Sequence, residues 1–247
     1  MIKFFRKIRQ KLLTENKFSK YLIYAFGEII LVVIGILIAL QINNWNEYRQ
    51  DISKSRAILG EFKKDLASDT TGINRVVRLL EQRVSYEAWA LSKVVYDKSQ
   101  IDSLRKAFIS PVHQEFIKDR TYKKLQVSQN PNLTGYLDLQ NNLTTYYTDT
   151  KFLLDYGNQL EEAFMKEYNV NTLFRKELEM QLDPFPTLSS EDKQIETLIS
   201  YAQTIEGRNF LKENYSRRSG MIRYFNRVKV EAQELIQKIN THLAREK

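Results

Sequence analysis

The chain of 247 residues has two histidines, His113 and His242, and no cysteine. Without cysteine there is no thiol nucleophile, no thiolate metal site and no disulfide. The histidines show no His-x-x-x-His or Glu-x-x-His pairing, the spacings that set two metal ligands on one helical face. His113 follows Pro111 in a loop and His242 sits near the C-terminal end, where an imidazolium suits a helix dipole. Both are read as surface residues. No glycine-rich phosphate loop and no Gly-x-Ser-x-Gly elbow is present. Carboxylates are numerous, but spacing alone singles out no pair with separate acid and base roles. The expectation is a protein that is not an enzyme, holds no metal and uses no cofactor.

One carboxylate stands out by its place. Glu28 lies in the apolar run of residues 21–40, YLIYAFGEIILVVIGILIAL. A charge at mid-bilayer costs about 2.5–3.5 kcal/mol on insertion scales, and less toward an edge. At helical spacing Glu28 shares a face with Val32, Gly35 and Ala39. Gly35 and Ala39 form a small-xxx-small pair, which lets two helix backbones approach closely. The functional reading is a face that packs on another transmembrane helix, with Glu28 hydrogen-bonded across the contact. The plainer reading is a glutamate at the headgroup boundary and two small residues by chance.

The run that carries these residues spans roughly 30 Å as a helix, the thickness of a bilayer's hydrocarbon core. Tyr21 and Tyr24 stand at one end, Trp45 and Tyr48 at the other, as interfacial aromatic belts do. Residues 1–20 carry Lys3, Arg6, Lys7, Arg9, Lys11, Lys17 and Lys20 against Glu15, so they supply six of the net +8 charges. Glu28 removes one, which leaves three for residues 41–247. Such a nearly balanced domain argues against nucleic acid as a partner. Basic residues ahead of an apolar run keep the N-terminus in the cytoplasm. The expected layout is a basic cytoplasmic segment (1–20), a transmembrane helix (21–42) and an extracytoplasmic domain (43–247). A cleaved signal peptide is the rival, but the run ends in Leu37-Ile38-Ala39 and not in a small-x-small site. Ile2, Phe5, Ile8 and Leu12 recur at helical spacing among Lys3, Arg6, Lys7, Arg9 and Lys11, a pattern suited to the anionic inner leaflet. A topogenic flank with no further role explains the same charges.

Beyond the anchor the pattern is helical. Glycine (8) and proline (4) are too scarce for a β-sandwich or barrel, and no run alternates with period two. Ile52, Leu59, Leu66, Ile73 and Leu80 recur every seven residues, a seam close to coiled-coil spacing. The anchor is expected to continue through Asn43-Asn44-Trp45 into this helix and to stop at Lys98-Ser99-Gln100. Pro111 and Pro131 cut the next region into short helices. Leu133, Leu137, Leu143, Tyr146, Tyr147, Leu153, Leu160 and Phe164 mark a second long helix that closes at Asn169–Asn171. Asp183-Pro184-Phe185-Pro186 reads as a linker. Ser189 with Asp192 reads as a capping box for a helix carrying Ile195, Leu198, Ala202 and Ile205. Met221, Phe225, Val228, Ala232, Leu235 and Ile239 mark the last helix. The fold class is therefore all-α: one transmembrane helix continuing into an antiparallel helical bundle. Lys118 to Leu125 reads as a solvated basic face. Tyr136, Tyr146, Tyr147 and Tyr156 either line a groove or pack a core.

The opening of the chain resembles that of a family of Gram-negative bacterial membrane proteins of unknown function. The likeness rests on LVVIGILIALQINNWNE, residues 31–47, where hydropathy does not dictate Gln41, Asn43, Asn44, Trp45 and Asn46. Tyr122-Lys123-Lys124-Leu125 and the Tyr146-Tyr147 pair are similar as well. The resemblance implies an inner-membrane protein with a periplasmic helical domain and carries no catalytic residues. The polar stretch Gln41 to Glu47 is more specific than a tether needs, so contacts with the bilayer and with another membrane protein, or with further copies of the chain, are expected. The leading expectation is an accessory subunit or scaffold of an envelope complex. The alternative is a ligand-sensing bundle that signals through a partner protein.

Overall fold

The computed structural model describes residues 18–108, 113–171, 178–179 and 184–245. All the described regular structure is helical, with no strand among the described residues. The helices are α1 (Phe18–Leu91), α2 (Ile101–Phe108), α3 (Arg120–Gln126), α4 (Leu137–Thr145), α5 (Lys151–Asn171), α6 (Glu191–Ala202) and α7 (Ile205–Arg245). A π-helical turn, Tyr146–Thr150, joins α4 to α5, and a 3-10 turn, Lys98–Gln100, precedes α2. The chain divides into two compact units, residues 1–55 and 56–247.

In the first unit, α1 is long and apolar enough to cross a membrane. Its most apolar window of 18 residues has a mean hydropathy of 2.5, and none of it is buried by the rest of the chain. From Leu22 to Ile42 the large apolar side chains are 44–74% exposed. Lys3, Arg6, Lys7, Arg9 and Lys11 lie outside the described residues, as do the side chains of Tyr21 and Tyr24.

In the second unit the heptad seam becomes core. Leu59, Leu66, Ile73 and Leu80 are each 0% exposed, as are Phe225, Val228, Ala232 and Ile239 of the α7 stripe. The two helices run antiparallel. Arg56 donates to the Leu243 carbonyl at 3.1 Å, and Arg208 donates to the carbonyls of Leu91 (3.1 Å) and Lys93 (2.5 Å). Their pairing thus extends over roughly 50 Å of helix. The α4–α5 rod is antiparallel to α7 too, since Asn142, Thr150, Glu161 and Phe164 meet Lys238, Glu231, Arg217 and Phe210 in that order. It follows that α1 and α4–α5 run parallel. A second apolar cluster at the α1 C-terminus joins Ala90, Tyr96, Leu104, Phe108, Leu198 and Phe210, with the rings of Phe108 and Phe210 stacked at 5.7 Å.

Several boundaries differ from the pattern reading. α1 stops at Leu91, and the expected stop at Lys98–Gln100 is a 3-10 turn of its own, capped by Asp97 accepting from the Ser99 N–H at 2.9 Å. The cap of α6 is Ser190, whose hydroxyl accepts from the Lys193 N–H at 3.4 Å, one residue after the expected Ser189. Ile205 does not belong to α6. Thr204 accepts from the Gly207 N–H at 3.0 Å and starts α7 there, sixteen residues before the stripe's first expected member, Met221. Pro131 falls between α3 and α4, separating two short helices as expected, while Pro111 and Asp183 lie outside the described residues. The turn Leu133–Tyr136 closes with a 2.8 Å hydrogen bond and carries Gly135 at φ 82°, the left-handed value that favours glycine at the third position of a type II turn.

Candidate functional site

The residues singled out for helix packing and for the membrane junction sit on α1 in the first unit. Glu28 is half-buried, while Val32, Gly35 and Ala39 are exposed and share its face by helical spacing. A Cβ added at Gly35 would meet nothing within 4 Å. Gln41, Asn43, Asn44, Trp45 and Asn46 are exposed around the helix rather than gathered on one side. Two local contacts order this junction. The Asn43 amide donates to Glu47 at 2.8 Å, one turn on, and the Arg49 guanidinium lies 4.9 Å from the Trp45 ring centroid. Arginine on an exposed indole makes a cation–π contact of about 0.5–1 kcal/mol, which orients the ring without burying it.

The second unit holds a cluster the pattern reading did not single out. Asp65 and Asp69 stand one turn apart on α1 and are 6% and 2% exposed. They face an extended segment, residues 113–119, that lacks a helix to satisfy its backbone. Asp69 accepts from the Lys118 N–H at 2.8 Å, and Asp65 accepts from the Thr121 N–H (3.2 Å) and hydroxyl (2.5 Å). From the other side, the Asn158 side chain of α5 donates to the Glu115 carbonyl at 2.8 Å and accepts from the Glu115 N–H at 3.4 Å. An amide side chain carries a donor and an acceptor, so it substitutes for a strand neighbour. Glu161 accepts from the His113 N–H at 3.4 Å. These side chains supply the partners a buried backbone must find.

The π turn builds the wall behind Asp69. An extra residue in the turn lets adjacent Tyr146 and Tyr147 both point inward, at 1% and 3% exposure. The Tyr146 hydroxyl donates to Asp69 at 3.1 Å. Burial raises the Asp69 carboxyl from 3.8 to about 6, against the lowering effect of its bonds to Lys118 and Tyr146 and with a further rise from Asp65. Burial also raises both tyrosine hydroxyls, followed by the nearby Asp69 charge. The Tyr147 ring lies between Tyr122, stacked at 4.9 Å, and Phe62 at 5.7 Å. Tyr122-Lys123-Lys124-Leu125 and Tyr146-Tyr147, apart in sequence, therefore meet in space. A titratable carboxyl beside a phenol is an acid–base pair in kind. Here both are closed to solvent, so the arrangement fixes the fold rather than reaching a substrate.

A third set links three helices. Glu87 of α1 pairs with Arg218 of α7, both 0% exposed. Glu161 of α5 pairs with Arg217, whose guanidinium also lies 4.2 Å from the Phe164 ring centroid. Burial lowers both arginines from 12.5 to about 10, leaving them cationic at neutral pH. His113 is half-buried rather than at the surface, and burial, then Arg83 and Arg217, lowers its pKa. His242 lies edge-on to Tyr136 at 6.0 Å. Tyr136 joins the core, while Tyr156 is 43% exposed. Of the basic stretch, Lys123 and Lys124 are exposed as expected, but Thr121 and Leu125 are buried. No group of three or more metal-binding side chains occurs among the described residues.

Two signals for the missed residues were present. Glu87 lies seven residues beyond Leu80 and continues the heptad seam. Arg218 lies three residues before Met221 and continues the α7 stripe. A charge at a core position of a sustained apolar repeat marks a buried partner.

Residues 28–137 match the model of a family of unknown function (DUF6090). That span is less than half of the chain. It holds the 31–47 motif and Tyr122–Leu125, and it ends before Tyr146. No curated protein and no solved structure matches the chain.

Proposed function

We propose that this is a membrane-anchored interaction protein, an accessory subunit or scaffold of a complex in the bacterial inner membrane, with residues 1–20 in the cytoplasm and 43–247 in the periplasm. The observation that carries the reading is the bare apolar stretch of α1, with open space at Gly35 beside Ala39 and Glu28. In lipid, a small-residue face gains from a closely packed neighbour, and a carboxyl there gains from a hydrogen bond across the contact. The heptad seam supports the same assignment by elimination. Leu59 to Leu80 are spent inside the second unit, so that stretch of the seam has no apolar face to offer a coiled-coil partner.

The test is purification of the tagged full-length protein from its native membrane in mild detergent, with co-purifying proteins read by mass spectrometry. A stoichiometric partner lost in Gly35→Leu supports the reading. Recovery of the protein alone, or only with itself, sinks the subunit assignment.

A second reading, a ligand-sensing bundle, draws on a half-open cleft of about 380 Å³ in the second unit. In that reading the bundle signals through a partner protein.

A further inference from the structure

The extended segment 113–119 is fastened to the bundle by side chains. Its N–H groups at His113, Glu115 and Lys118 donate to Glu161, Asn158 and Asp69 in turn. Asp65 then takes the Thr121 N–H in the first turn of α3. Within the segment only Ile117 has a buried side chain, so little apolar area holds it down. Two of the fastening groups, Asp65 and Asp69, are carboxyls one turn apart on α1, both closed off from water. Asp69 faces Asp65 on α1, Lys118 on the segment, and Tyr146 and Tyr147 on the π turn. Behind these stand Asp119 of the segment near Tyr147, Glu231 of α7 near Tyr146, and Arg120 of α3, 3.8 Å from Asp65. The two cations of the set, Lys118 and Arg120, are exposed, and water screens them.

We propose that segment 113–119 is a proton-controlled strap, held on α1 while Asp69 carries a proton and released more often once it is ionised. The Lys118 N–H finds an oxygen in either form. Tyr146 serves both forms too, because its hydroxyl donates to the carboxylate and accepts from the protonated acid. What changes is the charge that closure must bury. A neutral Asp69 leaves water at little cost, whereas an ionised one does so beside Asp65 and without a buried counter-ion. Opening the strap returns that carboxylate to solvent while the α1–α7 core stays folded. A local opening of this kind needs less free energy than global unfolding. Burial lifts the Asp69 pKa from 3.8 to about 6. The closed strap therefore has its full advantage below pH 3.8 and loses it as the pH rises through about 6. Release uncovers Asp69 on α1 and Asn158 and Glu161 on α5, a polar face that the closed strap covers. The inference concerns the second unit alone and stands apart from the subunit reading.

The experiment is hydrogen–deuterium exchange on the full-length protein in detergent, at about pH 5 and pH 7.5, corrected for the intrinsic exchange rate. The opening constant of the strap amides should rise about tenfold between these two values. Amides of the buried α7 stripe around Phe225 and Val228 should show no such rise, and they report that the core stays folded. In Asp69→Asn the strap should open equally at both values. The parent chain carries a second readout that needs no variant. One proton controls the strap, so the rise should level off above about pH 7. Equal opening of the parent strap at both values overturns the proposal. So does a rise that persists in Asp69→Asn, one that the α7 stripe shares, or one that continues undiminished above about pH 7.

Discussion

Asp69 is a buried carboxyl whose titration falls in an accessible range. Its carboxyl moves from 3.8 to about 6 because burial disfavours the charged form more than two hydrogen bonds favour it. The folded chain therefore holds this proton more tightly than the unfolded chain. The group's stabilisation is complete below pH 3.8 and is lost as the pH rises through about 6. Two pKa units correspond to about 3 kcal/mol at most. Asp69→Asn keeps an oxygen for the Lys118 N–H and removes the charge. The stability difference between this variant and the parent, read from urea midpoints in detergent, should shift in the variant's favour between about pH 4 and pH 7. A difference that stays constant over that range defeats the assignment. Glu87 and Arg218 behave differently because each neutralises the other away from water. Arg218→Met leaves Glu87 charged and unpaired and should cost about 3–5 kcal/mol. Adding Glu87→Leu should recover most of that loss, because an apolar pair of similar volume is often as stable as a buried ion pair. If the double variant is as unstable as the single, packing rather than charge sets the loss.

At the scale of elements, apolar spacing was a sufficient guide where one stripe faces one core. The α1 seam from Leu59 to Leu80 and the α7 stripe are buried as their periods require, while Ile52 at the head of the seam is only half-buried. Reading by hydropathy broke down where a stripe continues through a charge, as at Glu87 and Arg218, and so α7 was begun too late. It also could not see the segment 113–119, whose partners Asn158 and Glu161 lie more than forty residues on and are ordinary polar residues by type. The π turn left no mark beyond two adjacent tyrosines. The α6–α7 corner shows a backbone constraint with the same property. A Cβ at Gly207 would stand 2.1 Å from the Tyr201 carbonyl oxygen. Backbone there cannot yield as a flexible side chain would, since Thr204 holds the corner through the Gly207 N–H. Gly207→Ala should therefore lower the thermal midpoint by several degrees, in contrast to Gly60→Ala on α1, where an added Cβ meets nothing. Equal midpoints for the two variants would show that the corner relaxes freely.

For the molecule as a whole, the two units were legible to different depths. The long apolar stretch of α1 was fully visible, because length and hydropathy are read from the chain directly. The candidate cleft was invisible, because its floor comes from α1, α3, α4 and a turn. Orientation rests on charge alone. Six of the eight net positive charges precede the apolar stretch, and basic residues resist translocation. The decisive measurement is a pair of fusions after Lys247, one to a reporter active only in the cytoplasm and one to a reporter active only outside it. The second should be active and the first silent. Replacing Lys3, Arg6, Lys7, Arg9 and Lys11 with glutamine removes most of the bias and should make part of the population invert. A cytoplasmic reporter active in the parent chain would place the bundle and its cleft inside the cell. A mutated tail with unaltered orientation would assign the topology to the long folded domain rather than to the basic flank.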